Sequence, residues 1–447
     1  MEKISMEKTS DPKRIVLATF GSFGDIHPYM SLALELNARG HNAVIASSSI
    51  FREKIEGAGI EFYPIRPDLP RPDDPAAAEM VAKIMDPMKG AKYLLKEIFL
   101  PPIRDSYQDT LNAAQGADLI VTHPITFAGP AVAQKLQLPW VSTVLAPASI
   151  FSVHDPCIPP VGVWLGRILR KMGPGINRAL LNFVRRATDP WFEELYQLRK
   201  ALGLSRGGHP LFEGQHSPQM VLAMFSRVMA EPQPDWPKNS HVTGFPFYDK
   251  KDETPVSPDL LKFLDDGPPP IVFTLGSSAV FTAGEFFTES IEAAKRVGQR
   301  ALLLIGDQRN MPSEPLPPGI AAFDYAPHSL VFPRANVIVH QAGVGTTGQA
   351  LISGAPQLIV PFNHDQPDNA ERVARLGAGR TIGRSQYKAD RVAAELDKLL
   401  KDPTYTLRAL SVSKEVMAET GAATAADLIE KKLGIVRKEP REALVNA

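Results

Sequence analysis

The stretch from Asn336 to Gly379 constrains the fold of this chain more than any other. It contains NVIVH, a Gly-rich turn, TTGQALISG, PQLIVPF, HDQPDN and a final amphipathic segment. Short apolar runs such as NVIVH predict buried parallel strands, while the segments between them carry apolar residues at helical spacing. Strands joined by crossover helices predict a parallel sheet covered on its faces.

The turn after NVIVH predicts an anion site. Gly343 and Gly345 allow a tight turn with exposed backbone N–H groups, and Thr346 and Thr347 follow at the start of the helix. Free N–H groups and the positive end of a helix dipole then meet at one point, which suits a phosphate or diphosphate. The carboxylate and amides of HDQPDN suit hydroxyl groups. The stretch therefore predicts a ligand with phosphates at one end and a polyol at the other.

Two motifs in this stretch, HQAGVGTT and HDQPDNA, resemble the donor-binding signature of inverting nucleotide-sugar glycosyltransferases. They are most similar to bacterial-type members such as rhamnolipid rhamnosyltransferases, sterol glucosyltransferases and antibiotic glycosyltransferases. The resemblance implies an α/β fold with two facing Rossmann-like domains (GT-B) and parallel sheets flanked by helices. It also implies a nucleotide sugar as co-substrate, with UDP-glucose as the expected donor, and neither a cofactor nor a metal.

The length of the chain and a segment rich in proline and charge predict two domains. A chain of 447 residues is too long for one core. We expect an acceptor-binding domain over 1–244, a linker rich in proline and charge over 245–258, and a donor-binding domain over 259–420. The resemblance implies that residues 421–447 form a helix returning to the first domain, followed by a frayed tail.

Composition narrows the partners and the compartment. The formal net charge is zero, which gives no reason to expect nucleic acid. Cys157 is the single cysteine, so no intrachain disulfide can form. The N-terminus is polar, and no run approaches the roughly 18 apolar residues of a membrane span. We therefore expect a soluble, cytoplasmic protein.

The loop Gly21 to Pro28 is the second informative feature. It follows the apolar run RIVLATF, and Pro28 predicts the start of a helix. Its G-x-x-G spacing lacks the third glycine of a dinucleotide fingerprint, which disfavours NAD. On the residues alone, Asp25 or His27 could simply cap the helix. The resemblance implies an acceptor-site loop with Asp25 as general base and His27 as the alternative.

His123 ends the predicted strand ADLIVTHP. Plant relatives pair a catalytic histidine in the first loop with an aspartate near this strand end, and here the two residue types are exchanged. We expect His123 to hydrogen-bond Asp25 or the acceptor, with an ordinary structural histidine as the open alternative.

The resemblance assigns further donor-binding residues. Tyr325 replaces the tryptophan that stacks on the base in the family, so uridine and thymidine nucleotides both remain open. Gly348 stands where plant members carry a ribose-binding glutamate. Alone, Ser277 would be read as an N-cap or turn residue and His340 as a structural histidine. The resemblance implies that Tyr325 and His328 contact the base and that Asp365 and Gln366 contact the sugar. The implied diphosphate contacts are Ser277, His340, Gly343, Gly345, Thr346 and Thr347.

Residues 156–188 form a basic amphipathic segment without any Asp or Glu. Two interpretations are open: the segment roofs the pocket of a small hydrophobic acceptor, which we favour, or it makes peripheral membrane contact. The first-domain loops do not encode the acceptor. A nucleotide-sugar epimerase and a non-catalytic sugar-nucleotide-binding protein are the alternatives to a transferase.

Overall fold

The computed structural model describes residues 11–71, 74–160, 163–248, 256–276, 279–312 and 315–435. The strands are β1 (Arg14–Ala18), β2 (Asn42–Ser47), β3 (Glu61–Pro64), β4 (Leu119–Thr122), β5 (Trp140–Val144), β6 (Val221–Ala223), β7 (Ser240–Val242), β8 (Ile271–Thr274), β9 (Ala301–Leu304), β10 (Ile320–Phe323), β11 (Val337–His340), β12 (Gln357–Ile359) and β13 (Gly379–Thr381). The α-helices are α1 (Phe23–Ala38), α2 (Arg52–Gly57), α3 (Pro75–Ile84), α4 (Gly90–Tyr93), α5 (Ile103–Ala113), α6 (Gly129–Leu136), α7 (Val163–Met172), α8 (Pro174–Thr188), α9 (Glu193–Ala201), α10 (Pro258–Asp265), α11 (Phe286–Val297), α12 (His328–Val331), α13 (Val344–Ser353), α14 (Gln366–Leu376), α15 (Ala389–Lys401), α16 (Pro403–Met417) and α17 (Gly421–Lys432).

Two parallel sheets organise these elements. The first has the strand order β3-β2-β1-β4-β5-β6-β7, and the second has the order β10-β9-β8-β11-β12-β13. In each sheet the first and fourth strands along the chain lie side by side, so the chain adds later strands in the opposite direction across the sheet. Ligands of open α/β sheets bind outside the carboxyl ends of the strands at such a switch point. The predicted fold class, two Rossmann-like domains with parallel sheets, is confirmed. The domain boundaries themselves stay predictions.

Apolar side chains cover both faces of each sheet. Strands β1, β4, β8 and β11 are almost wholly buried, as expected where helices lie on both sides of a parallel sheet. A further apolar cluster joins the domains, since Val144, Phe225 and Trp236 of the first pack with Leu351 and Val412 of the second. The cleft between the sheets is thus closed by continuous packing on one side.

Helix α1 begins earlier than the sequence indicated. We expected its start at Pro28, but the helix starts at Phe23 and Pro28 lies inside it. Ser22 is the N-cap, and Ser22 and Asp25 form a capping box that satisfies the first N–H groups. Proline in the second turn removes one backbone hydrogen bond and crowds the carbonyl one turn earlier. The capping box and the burial of Ile26, Met30 and Leu32 in the core offset this cost. Asp25 therefore lies in the first helical turn rather than in a loop.

The last helix returns to the first domain. Ala425, Ala426 and Ile429 of α17 are fully buried in the core beneath α1. The buried carboxylate of Glu430 accepts from Arg39 at 2.9 Å and contacts His41 Nε2 at 3.0 Å. This charged contact fixes the end of the chain against the first domain.

A buried ion network ties helix α14 to the first domain. Asp368 is fully buried, and its two oxygens accept from the backbone N–H of Ile158 at 3.0 Å and from Arg372 Nε at 2.6 Å. Arg372 in turn donates to Asp155 at 2.5 Å and to the carbonyl of Met229 at 3.1 Å. Desolvation alone would raise the pKa of Asp155, but Arg372 and its neighbouring guanidinium groups hold that pKa below its usual range. The network is charged, buried and shared by both domains.

We expect Arg372→Ala to lower the free energy of unfolding by about 3 kcal/mol, because it leaves two carboxylates without their buried partner. Arg167 also bridges the first domain to α14, through Glu371 at 2.9 Å, but its side chain is 57% exposed. Arg167→Ala is therefore the matched control and should cost less than about 1 kcal/mol. Urea unfolding of both variants checks this, and equal losses would contradict the role given to burial.

Candidate active site between the domains

Asp25 lies at the carboxyl end of β1 with its two oxygens in different roles. Oδ2 accepts from the backbone N–H of Ser22 at 2.7 Å and from its hydroxyl at 3.2 Å. Gly21 permits this close return of the side chain, because its φ is +131° and a Cβ there would lie 2.2 Å from Oδ2. Oδ1 is left facing the cleft side of the helix. Asp25 thus caps α1 through one oxygen and keeps the other for a further partner.

His123 approaches Asp25 from the neighbouring strand β4. Its Nε2 lies 3.6 Å from Asp25 Oδ1. Its Nδ1 accepts from the backbone N–H of Ile125 at 3.4 Å, which leaves Nε2 as the ring nitrogen nearer to Asp25. The separation is longer than a hydrogen bond, so the expected bond stays a prediction. The structure does bring the two side chains together at the switch point of the first sheet.

His27, the alternative base, lies among aromatic rings. It stacks on Phe23 with ring centroids 5.4 Å apart and lies 5.1 Å from the ring of Tyr248. These contacts give His27 a packing environment that Asp25 does not have.

His340 supports the Gly-rich turn from within the second domain. The ring is fully buried, its Nδ1 accepts from the N–H of Ala342 at 3.1 Å, and its Nε2 lies 2.9 Å from Gln357 Oε1. Burial lowers the pKa of His340 to about 4, so the ring is neutral at pH 7. Because Nδ1 accepts, Nε2 carries the proton and donates to Gln357. Both ring nitrogens therefore have partners inside the protein, and direct contact with phosphate stays a prediction.

The turn itself is strained and opens a helix. Ala342 has a φ of +69°, a conformation that is costly for a residue with a Cβ and is typical of functional turns. Gly343 is the N-cap of α13, and a Cβ added at Gly345 would meet nothing within 4 Å. Thr346 and Thr347 are buried, and the Thr347 hydroxyl has no hydrogen-bond partner within the described residues. The turn therefore borders open space at position 345.

Asn369 links the turn to the predicted sugar-binding carboxylate. Its Nδ2 donates to the carbonyl of Ala342 at 3.0 Å and to Asp365 Oδ2 at 2.7 Å. We did not assign Asn369 from the sequence, although it lies in HDQPDN and amides there were expected to face hydroxyl groups. The signal that would single it out, an amide one helical turn after Asp365, was present in the chain.

Asp365 has an unusual charge state. Loss of solvation, assisted by the charges of Asp25 and Asp368, raises its pKa to about 7, although the Asn369 amide acts in the opposite direction. Burial also lowers the pKa of the adjacent His364, which has a φ of +58°, while the charge of Asp25 opposes that shift. Asp25, from the first domain, therefore acts electrostatically on both residues of the second. This coupling identifies the cleft as one electrostatic unit.

The remaining predicted residues lie around this unit. Gln366 is buried and its Oε1 accepts from the backbone N–H groups of Phe362 and Asn363 at 2.8 and 3.2 Å, which fixes the start of α14. Tyr325 follows β10 with its ring 44% exposed, and His328 stacks on Phe332 at 4.3 Å. Ser277 lies outside the described residues.

The structure also explains the glycine at position 348. A Cβ there would lie 3.1 Å from the Phe245 ring and 3.2 Å from the Phe247 ring. These rings belong to the predicted linker and pack on α13. A side chain at this position would require both rings to shift by a few tenths of an ångström, which disfavours a glutamate there.

A cavity of about 160 Å³ adjoins His123 within the first domain. Its walls include Trp140, Tyr196, Arg199 and His216. Desolvation lowers the pKa of His216 to about 4, so this wall carries a neutral imidazole at pH 7. The cavity is large enough for a ring-sized group and lies beside the Asp25 and His123 pair.

The described residues contain no group of three or more His, Cys, Asp or Glu side chains that could hold a metal ion. Among the helices described, none is sufficiently long and apolar to cross a membrane. The absence of a metal requirement and the cytoplasmic location stay predictions.

Comparison with known proteins identifies the family. Residues 289–431 match the family model for the Erythromycin biosynthesis protein CIII-like C-terminal domain, and residues 15–106 match that for the Glycosyltransferase family 28 N-terminal domain. O-mycaminosyltylonolide 6-deoxyallosyltransferase of Streptomyces fradiae is 32% identical over 439 residues, which cover 94% of this chain and 97% of that protein. Sterol 3-beta-glucosyltransferase of Leptosphaeria maculans is 29% identical over 83% of this chain. The matched region is only 26% of that longer protein.

Solved structures show the same fold. The glycosyltransferase of kitacinnamycin superposes with a TM-score of 0.71 at 21% identity, covering 94% of this chain and 99% of that one. Spinosyn rhamnosyltransferase SpnG complexed with thymidine diphosphate superposes with a TM-score of 0.63 at 17% identity, covering 94% of this chain and all of that one. The protein is therefore a two-domain transferase of the GT-B class. It belongs to the nucleotide-sugar glycosyltransferase family that includes the Streptomyces fradiae enzyme.

We expect Asp365→Asn to stabilise the unliganded protein progressively as pH rises. Between about 4 and about 7 the native carboxyl holds a proton that the unfolded chain has lost, so the wild-type free energy of unfolding falls across that window. The variant lacks this loss and should gain about 4 kcal/mol relative to wild type from pH 4 to pH 8. Urea unfolding across this pH range measures the difference. If the free energies of unfolding of the two proteins changed with pH in the same way, the raised pKa of Asp365 would be contradicted.

Proposed function

We propose that the protein transfers a hexosyl group from a pyrimidine nucleoside diphosphate sugar to a hydroxyl of a small lipophilic acceptor, with inversion. The observation that carries the proposal is the meeting of two sheet switch points across one cleft. Asp25 and His123 lie at one point, while the Ala342–Gly343 turn and Asp365 lie at the other. A base facing a diphosphate-and-polyol site is the arrangement that glycosyl transfer requires.

The transfer is a single displacement in this proposal. The acceptor oxygen attacks the anomeric carbon and forms the new C–O bond, while the bond from that carbon to the diphosphate oxygen breaks on the opposite face. Asp25 Oδ1 takes the hydroxyl proton, and His123, whose Nε2 is the ring nitrogen nearer to Asp25, orients the carboxylate. Attack opposite the leaving group inverts the anomeric centre.

The second domain stabilises the leaving group. Negative charge develops on the diphosphate, and the first N–H groups of α13 and the helix dipole favour an anion at that position. His340 acts through the turn by holding the Ala342 N–H, rather than by carrying charge itself. Asp365 and Gln366 recognise sugar hydroxyls, because a misplaced hydroxyl would leave polar groups unpaired at a cost of about 1–3 kcal/mol each.

Donor and acceptor classes rest on separate observations. The exposed Tyr325 ring offers a stacking surface for either uracil or thymine, so UDP-glucose and dTDP-glucose are the first donors to test. The names of the relatives include a deoxyallosyltransferase and sterol glucosyltransferases, which supports a lipophilic alcohol as acceptor. The ring-sized cavity beside His123 supports an acceptor with a cyclic portion.

Incubation with each donor and a panel of phenolic, sterol and lipid alcohols tests the function. Glycoside formation with release of nucleoside diphosphate supports it. Conversion of the sugar nucleotide without any acceptor would identify an epimerase instead. Donor binding without turnover on the whole panel would favour a non-catalytic sugar-nucleotide-binding protein.

Asp25→Asn should lower kcat by about 10²- to 10⁴-fold and leave the KM for the donor nearly unchanged. The amide oxygen still accepts from the Ser22 N–H, so the capping of α1 and the thermal stability should persist. His123→Ala should lower kcat as well, by loss of the group that orients the carboxylate. Steady-state kinetics measure both effects, and near-normal turnover of either variant would contradict its assigned role.

Gly345→Ala should weaken donor binding without destabilising the fold. The added methyl group meets no atom within 4 Å, so the free energy of unfolding should be unchanged or rise by about 0.5 kcal/mol. A diphosphate seated on the turn would collide with it, and we expect the dissociation constant of UDP or dTDP to rise about ten-fold. Calorimetric titration checks this.

Gly175 is the matched control for this substitution. It also occupies the second position of a helix, and a Cβ there would meet nothing within 4 Å. Gly175→Ala should leave nucleotide binding unchanged. Equal affinities for the wild type and Gly345→Ala would place the diphosphate elsewhere.

A further inference from the structure

Helices α7 and α8 present an apolar surface that the rest of the described chain does not cover. Six large apolar side chains on them are exposed: Ile168, Met172, Ile176, Leu180, Phe183 and Val184. Phe183 is the most open of these, at 68% exposure. Large apolar residues exposed contiguously on two consecutive helices mark an interaction surface rather than scattered surface residues.

The pattern on α8 shows that this exposure is systematic. Ile176, Leu180, Phe183 and Ala187 recur at intervals of four, three and four residues and therefore form one stripe. The helix packs against the first domain through a different edge, where Asn177 donates to the carbonyl of Val153 at 2.9 Å and Thr188 contacts His209 at 3.1 Å. At 100° per residue this edge is about 90° from the stripe. The stripe therefore lies at roughly a right angle to the packing contacts, on a side of the helix that the described residues leave exposed.

Positive charge flanks the stripe. Residues 156–188 contain six Lys or Arg and no Asp or Glu, in a chain of zero net charge. Some of this charge is neutralised, since Arg167 pairs with Glu371 and Arg185 pairs with Glu213. Lys171 and Arg186 are exposed, lie about 90° from the apolar side chains of their helices, and form no ion pair with the acids that the structure describes. Arg178 is exposed too, but the same rotation places it on the face of α8 opposite the stripe. A partner that fits must be apolar and negatively charged together.

We propose that α7 and α8 form a docking surface for an anionic lipid bilayer. An amphipathic helix with a basic flank lies in the plane of such a surface, with its apolar side chains among the acyl chains and its Lys and Arg side chains at the headgroups. A second copy of this chain fits less well, because symmetric contact through the stripe brings like charges together. The surface is separate from the Asp25 and Asp365 cleft, so the inference does not depend on the proposed function.

Co-sedimentation of the full chain with phosphatidylcholine vesicles, with and without phosphatidylglycerol, tests the proposal. We expect binding to the anionic vesicles, weaker binding to the neutral ones, and release as salt is raised. Phe183→Ser should lower the partition coefficient about ten-fold or more. The double variant Lys171→Glu and Arg186→Glu should lower it about ten-fold on anionic vesicles, with little effect on neutral ones.

Leu407 supplies the matched control. It is exposed to nearly the same degree, at 65%, but lies on α16, away from the stripe. Leu407→Ser should bind vesicles like the wild type, and circular dichroism should show every variant to be folded. A folded wild type that ignores anionic vesicles overturns the proposal, as does an equal loss in Leu407→Ser. A dimer that Phe183→Ser converts to a monomer, with vesicle binding unchanged, would assign the surface to a second copy instead.

Discussion

The buried pairing of Asp368 with Arg372 fixes the geometry on which the rest of the site depends. Burying two charges is costly, and such a pair is favourable only where both groups are fully hydrogen-bonded. Asp368 meets this condition through Ile158 of the first domain, and Arg372 meets it through Asp155 and Met229. All three first-domain partners thus contribute to stabilising the buried charges. The network therefore gives the domains one preferred orientation.

That orientation determines what the cleft can do. Helix α14 begins at Gln366, directly after Asp365, so the contact that anchors its first turn also places the predicted sugar-binding pair. Asn369 connects the same turn to the Ala342 carbonyl and hence to the Gly-rich turn. A few polar contacts within two turns of α14 therefore join the Gly-rich turn of the second domain to the segment around Ile158 of the first. A change in domain orientation would move Asp365 relative to Asp25.

The raised pKa of Asp365 follows from the same arrangement. Its environment removes water and adds the negative charge of Asp25, so the carboxyl is partly protonated near neutral pH. A sugar that donates hydroxyl protons to this group would supply the hydrogen bonds that water no longer provides. The unliganded site thus contains an unfavourable interaction that a bound polyol would relieve. Such a group is typical of binding and catalytic clefts.

Parallel sheets, the anion turn and the acceptor loop could be predicted from the sequence because each depends on local pattern. The start of α1 was misplaced because Pro28 is a strong local signal, while the Ser22 and Asp25 capping box is recognised only if the helix is allowed to include a proline. Asp368 and Arg372 were not predicted, since acid and base four residues apart are usually an exposed helical pair. The reason for a glycine at position 348 is its contact with Phe245 and Phe247, which lie about a hundred residues earlier in the chain. What was missed depends on contacts between distant segments.

The basic segment shows how tertiary contacts also redistribute charge. The six Lys and Arg side chains of residues 156–188 suggest a uniformly positive surface. The acids of α14 lie beside two of them, however: Arg167 pairs with Glu371, and Arg170 lies 3.6 Å from Asp368. Glu213 neutralises a third, Arg185. The two helices therefore divide their cations: Arg167 and Arg170 lie beside α14, while Lys171 and Arg186 lie on the open side. Only the second group adjoins the apolar stripe, so α7 joins the donor helix on one side and leaves an amphipathic surface on the other.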